Sequence, residues 1–362
     1  MVFGFLGGNR KDDDGKNSKK NAVPPIPDPN RHFFMPSEEE PHEGTWLQWP
    51  HDYEGNRSRH LVKRYEESWI QMALALHKGE KVHIIVYNAT EWDRVHDLLE
   101  TRGCDMKQID FYDWPTEDVW VRDNGPIFCF DEDDRLLVTD WGFNGWGKKY
   151  EFQNSNKIPK KVAKELGLPC TTVPMINEGG SVEIDGKGTL MAKKSSILNR
   201  NRNPGWRQED AEAYFTRYLG VTNFIWLEGT KGQDVTDDHI DGTARFSHDN
   251  VIVTFFRDDF LDPREYDILA AAVNAKGEKY RLVHLPVTKR KVAKGDYGFY
   301  VNFYVGNDVV LMPAFDDPND DVAAKVLQAL YPKREVVKIP MAEVLKDGGM
   351  VHCVTQQQPS EG

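Results

Sequence analysis

Between Gly125 and Leu311 the chain repeats one unit four times, and this repetition constrains its fold more than any other feature. Each unit reads as a small-residue loop, a strand, a polar turn and a second strand. The copies are Gly125-Pro126-Ile127-Phe128 with Leu136-Leu137-Val138, and Gly180-Ser181-Val182-Glu183 with Thr189-Leu190-Met191. Gly242-Thr243-Ala244-Arg245-Phe246 with Val251-Ile252-Val253, and Asn302-Phe303-Tyr304-Val305 with Val309-Val310-Leu311, complete the set. The intervening turns, such as Asp185-Gly186-Lys187-Gly188 and Gly306-Asn307-Asp308, carry hairpin chemistry. The loop-to-strand joints fall at 125, 180, 242 and 302, a spacing of 55 to 62 residues. A fifth joint falls at Cys353, with Thr45-Trp46-Leu47-Gln48-Trp49 as its partner strand. Repetition at this length points to radial or solenoid architecture. Five mixed β/α units closing on themselves make a propeller-like barrel, with the joint residues converging on its axis. Upstream, residues 57 to about 78 place Leu61, Tyr65, Trp69, Met72 and Leu76 on one helical face. A strand over 82–87 and a helix over about 90–101, capped by Thr90, follow.

Composition bounds the partners. A hydrophobic content of 39% with ten tryptophans describes a globular body, and no apolar run approaches a membrane span. The net charge of −12 argues against nucleic acid as a partner and favours a small cationic substrate by steering. Cys104, Cys129, Cys170 and Cys353 have no pairing or metal-ligand spacing; with no secretory or transit signal, they read as reduced cytoplasmic thiols. Residues 1–30, rich in Lys, Asp, Asn and Pro, read as a disordered tail, and 31–362 as a single catalytic domain that admits a homo-oligomer.

The residues at or just before the joints are Asp123, Glu178, His239 with Asp241, and Cys353. A thiolate is a strong nucleophile whose activation depends on an electropositive neighbour or a bound cation. A histidine can protonate a leaving group and later activate water. Two carboxylates can grip a planar cation as they grip arginine, and a third can keep the histidine oriented and protonated. The natural ligand of such a set is a guanidinium group.

Trp120-Val121-Arg122-Asp123-Asn124-Gly125-Pro126, Glu178-Gly179-Gly180, Thr236-Asp237-Asp238-His239-Ile240-Asp241 and Gly348-Gly349-Met350-Val351-His352-Cys353 carry a resemblance to the agmatine deiminase family. That family includes bacterial-type peptidylarginine deiminases and falls within the guanidine-modifying (pentein) superfamily. Trp141 to Gly147, Arg202-Asn203-Pro204 and Tyr300-Val301-Asn302-Phe303 resemble it too, and the match covers roughly residues 35 to 359. The resemblance implies a five-bladed α/β propeller with pseudo-fivefold repeats of about 60 residues. It implies hydrolysis of agmatine to N-carbamoylputrescine and ammonia in polyamine (putrescine) biosynthesis, with no metal and no cofactor. Cys353 would attack the guanidinium carbon held by Asp123 and Asp241; His239, oriented by Glu178, would protonate the departing ammonia. For the rest of the substrate, Trp120 and Gly349 would line the alkyl channel with help from Trp49, and Asp118 or Asp234 would meet the amine. Two departures stand out: Asp347 and Met350 occupy positions where the family usually has glycine and asparagine.

Other readings compete. Deimination of free or peptidyl arginine to citrulline needs a cation, such as Arg200 or Arg202, facing the carboxylate. Amidino transfer to an amine shares the same covalent intermediate, and a non-catalytic guanidine binder would need no thiol. His352 reads as structural, because neighbours on a strand face opposite ways. Arg122 reads as pointing away from substrate into a salt bridge. The run Asp316-Asp317-Pro318-Asn319-Asp320-Asp321 reads as a solvated helix start.

Overall fold

The computed structural model describes residues 23–26, 32–53, 60–257, 259–293 and 296–361. The repeated unit exists as read. In each copy an antiparallel hairpin is followed by a helix and a third strand parallel to the second, because a parallel return needs a crossover. The first is Ile127–Asp131, Leu136–Gly142 and Cys170–Ile176, bridged by helix Ile158–Leu166. The next is Val182–Ile184, Thr189–Lys193 and Asn223–Leu227, bridged by Gln208–Leu219. Arg245–Ser247, Val251–Phe255 and Arg281–Leu285 follow with Pro263–Ala271. Tyr304–Val305, Val309–Ala314 and Glu335–Pro340 form the last, with Pro318–Leu330. The C-terminal strand Gln356–Pro359 pairs antiparallel with His42–Gln48, setting Gln356 against Trp46, and Lys81–Val86 and Ile109–Asp113 extend that sheet in parallel.

The closed five-bladed propeller expected from the repeat is not what these strands make. Among the described residues, the ladders fall into six separate open sheets of four, three, three, two, three and four strands, so the fold is mixed α/β without propeller closure. An additional hairpin, Val287–Ala293 with Asp296–Phe299, interrupts the series between the third and fourth units. Regular spacing reports the hairpin-helix-strand unit, whose hydrogen bonds are local. It does not specify how units associate, which depends on side-chain packing between them.

Local chemistry explains the elements that support the site. In helix Leu61–Leu76 the stripe Leu61, Tyr65, Trp69, Met72 and Leu76 is buried as its periodicity requires, and the Trp69 indole donates to the Gln48 carbonyl at 2.8 Å. Truncating a tryptophan so buried costs about 3–5 kcal/mol. Helix Ala89–Arg102 is capped by Asn88, not Thr90: the Asn88 side chain accepts from the Glu91 amide at 3.0 Å. The acidic run does start a helix, but Asp317 and Asp320 are buried; Asp320 accepts from the Tyr300 hydroxyl at 2.7 Å and completes a capping box with Asp317. Val23 and Ile26 pack against the buried cluster around Phe215 and Tyr218; apart from residues 23–26, the expected tail lies outside the described residues. Among the described residues no helix is long and apolar enough to cross a membrane.

Candidate active site

Four of the joints are a single turn of helix set just before a strand, and these turns carry the candidate side chains. Asp123 lies in Val121–Asn124, Glu178 immediately precedes Gly179–Ser181, His239 precedes and Asp241 lies within Ile240–Gly242, and Cys353 lies within His352–Val354. Gly180 lets three of them meet. A Cβ there would fall 2.8–2.9 Å from Asp123 Oδ1, Asp241 Oδ2 and His239 Nδ1, so any side chain would displace them.

The structure brings these five residues close to one another. His239 Nε2 is 3.1 Å from Glu178 Oε2, and its Nδ1 is 3.6 Å from Asp123 Oδ1. Burial alone would push this imidazole toward neutrality; the carboxylates of Asp123, Glu178 and Asp241 outweigh it and raise it to about 9. Glu178 also takes a 2.8 Å bond from Arg202 Nε, and His239 and Arg202 hold it ionised against burial, below the ordinary carboxylate range. Asp123 accepts from the Trp146 indole at 2.8 Å and the Gly180 amide at 3.1 Å. Burial nonetheless pushes its carboxyl up to about 6, against the pull of His239. The Cys353 thiol sits 3.6 Å from Asp241 Oδ2, and burial, with Asp241 and Asp123 nearby, raises it well above the ordinary thiol range.

A cavity of about 170 Å³ leads to this centre. Cys353 and Asp123 form part of its lining, with Trp120, Trp146, Tyr65, Asp118 and Gly349 along the walls. Gly349 is small for a reason: a Cβ would lie 2.3 Å from the Trp120 ring. Asp118 accepts from the Trp120 amide at 2.7 Å and from Asn124 at 2.8 Å, and burial pushes its carboxyl up to about 7. Neither Trp49 nor Asp234 lines the cavity. Trp49 is core and donates to Glu66 at 2.9 Å; Asp234 caps its own loop through the Thr236 amide at 2.7 Å. Of the two departures, Asp347 lines the cavity and Met350 is buried in the core.

The site draws on residues to which the motifs assigned no role. Asn302, at the fourth joint, donates to Cys353 Sγ at 3.4 Å and to the Asp241 carbonyl at 3.2 Å. The repeat had marked its position, but an amide offers no obvious reactivity. His352 does not turn away from Cys353's surroundings. The two lie in a helical turn and not a strand, and His352 Nδ1 is 2.8 Å from Asp241 Oδ2. Its contact, with the charge that accompanies it, holds the buried Asp241 below the ordinary range despite the cost of burial. Behind it Glu38 reaches His352 Nε2 at 2.9 Å, Arg245 at 2.8 Å and Arg122 at 3.2 Å. Arg122 therefore points away from the cavity, as read. Trp146 itself is held at φ 53°, a left-handed conformation that a tryptophan adopts only under constraint.

A thiol, an imidazole held protonated by its own carboxylate, and two further carboxylates at the end of one cavity are the equipment of a cysteine hydrolase acting on a guanidinium group. The comparisons agree. The model of the Porphyromonas-type peptidyl-arginine deiminase family matches residues 34–359, so the chain belongs to that family. A Streptomyces coelicolor protein provisionally named agmatine deiminase is 33% identical over 345 residues, spanning 90% of this chain and 99% of its own. The solved agmatine deiminase of Enterococcus faecalis superposes with a TM-score of 0.81 at 25% identity, covering 91% of this chain and 96% of that one. A C. jejuni agmatine deiminase variant with substrate bound gives 0.81 and 25%, covering 91% and 97%.

Proposed function

We propose that this enzyme hydrolyses agmatine to N-carbamoylputrescine and ammonia, a step of polyamine biosynthesis, in the cytoplasm. One observation carries the choice of substrate. Among the described residues, the cavity lining holds Glu117, Asp118, Asp123, Glu151 and Asp347 but no lysine or arginine. Agmatine is cationic at both ends and suits such a wall; arginine would bring a carboxylate into it. The cations that the arginine reading needs are committed elsewhere. Arg202 is fully buried between Glu178 and Asp237, and Arg200 is exposed outside the cavity.

In this reading Asp123 and Asp241 bind the guanidinium nitrogens. The arriving cation offsets the two carboxylates that hold Cys353 protonated, the thiol releases its proton to solvent, and the thiolate forms beside its target. Sulfur attacks the guanidinium carbon. His239, already an imidazolium, gives its proton to the departing nitrogen, which leaves as ammonia, and an S-alkylamidino cysteine remains. The neutral imidazole then takes a proton from water, whose oxygen attacks the same carbon and expels the thiolate, and the second water proton passes to that thiolate to restore the thiol. The ureido product departs. The carbon is electrophilic from the start, so the chemistry asks for no metal or cofactor. Trp120 and Gly349 would line the butyl chain, with Asp118 near the amine. The acidic net charge and the four unpaired cysteines support a cytoplasmic enzyme that engages neither nucleic acid nor membrane.

The test is incubation with agmatine, free arginine and an arginine peptide, with ureido product and ammonia both measured. Agmatine should be turned over by far the fastest. Turnover of arginine without agmatine would overturn the assignment.

A further inference from the structure

Asp347 is a cavity carboxylate placed beside an arginine. Its Oδ2 lies 2.8 Å from the Arg64 guanidinium and accepts the Tyr65 hydroxyl, and Tyr65 and Asp347 both line the cavity. Arg64 is anchored from behind, its Nε donating to Glu343 at 3.2 Å and its NH2 to the Glu343 carbonyl at 2.9 Å. It therefore stays close to the wall whatever residue stands at 347. We propose that Asp347 is a specificity-determining residue: by masking Arg64 and capping Tyr65, it keeps the wall selective for guanidines whose far end is cationic.

Without the Asp347 carboxylate, an arginine and a phenolic hydroxyl would present donors along the same wall, the pairing that binds a carboxylate. Rejection of the wrong substrate then comes from a filled acceptor site as much as from attraction of the right one. The pair is partly open to solvent, with Arg64 25% and Asp347 30% exposed, which limits the effect of either charge to about fivefold in affinity. The inference rests on the agmatine reading and specifies how its selectivity is built.

The probe is γ-guanidinobutyrate, which carries a carboxylate near the position of agmatine's amine. Its inhibition constant against agmatine turnover, and the KM for agmatine, are measured for the native enzyme, Asp347→Asn, Arg64→Met and the double variant. Asp347→Asn should bind γ-guanidinobutyrate about fivefold more tightly and agmatine more weakly. Arg64→Met, which unmasks Asp347, should move both constants the opposite way. In the double variant the gain for γ-guanidinobutyrate should vanish, because its source is gone. An unchanged ratio in both single variants, or a gain that survives removal of Arg64, overturns the inference. The opposite sign expected for Arg64→Met keeps the test decisive if Asp347→Asn folds poorly. A native enzyme inert toward agmatine would instead overturn the proposed function.

Discussion

Replacing Glu178 with glutamine probes the proposed acid-base group, His239, without touching the proposed nucleophile, Cys353. His239 is raised from an ordinary value of 6.5 to about 9, which amounts to roughly 3 kcal/mol in favour of the imidazolium. Three carboxylates contribute, and Glu178 combines a 3.1 Å bond with a full charge. Glutamine can still accept from Nε2, but the charge is lost. Arg202, 2.8 Å from Glu178 in the native protein, keeps its own charge nearby. Both changes disfavour the imidazolium, so Glu178→Gln should lower the His239 pKa by about one to one and a half units, or about 1.5–2 kcal/mol. The sign for stability follows. A histidine with a raised folded pKa contributes its full stabilisation below about 6.5, and that contribution is lost as pH rises through about 9. In the variant the loss should be complete about one unit earlier. The assay is the pH profile of kcat/KM for ammonia release, paired with NMR titration of the His239 ring. The alkaline limb and the ring titration should move down together. An alkaline limb that stays in place while the ring signal shifts would refute the assignment of His239 as the proton donor.

Two further substitutions test the frame around it. Asp123→Asn should abolish turnover yet raise the melting temperature at pH 8. The native carboxyl is raised to about 6, so stability is lost as pH climbs from the ordinary range through that value. Removing the charge should return about 1–2 kcal/mol after loss of one hydrogen bond, and the gain should fade toward pH 4; a lower melting point at pH 8 would contradict it. Gly180→Ala puts a methyl group 2.8–2.9 Å from Asp123, Asp241 and His239, and should cost about a hundredfold or more in kcat while far-ultraviolet circular dichroism is retained. Activity within a few-fold of native would show that the three groups need not converge.

Much of this site was legible because each reactive side chain sits on the turn just before a strand, so hairpin periodicity and reactive residues reinforced one another. Cys353, His239, Glu178, Asp123 and Asp241 have distinctive chemistry at regular intervals. Asn302 occupied an equivalent joint but lacks a titratable group, and only its distance to Cys353 reveals its place. The role of His352 was obscured by a wrong local geometry: alternation holds on a strand, whereas this segment is a helical turn. Glu38 could not have been found from spacing, because it lies more than 300 residues from His352 in sequence and meets it only through folding. The fold followed the same division. The hairpins and the two helices before the first unit depend on short-range pattern and were recovered, whereas the crossover helices at 158–166, 208–219 and 263–271 were not read, closure depends on contacts between units, and the hairpin at 287–299 gave no periodic signal of its own.

The central claim is that Cys353 bonds covalently to the guanidinium carbon, and one measurement addresses it directly. The enzyme is mixed with agmatine, quenched in acid within a single turnover, digested, and analysed by mass spectrometry. A transient adduct of agmatine less ammonia should appear on the peptide containing Cys353, formed and consumed at least as fast as product appears, and absent in Cys353→Ala. Full turnover with no adduct at Cys353, or an adduct confined to Cys104, Cys129 or Cys170, would contradict it.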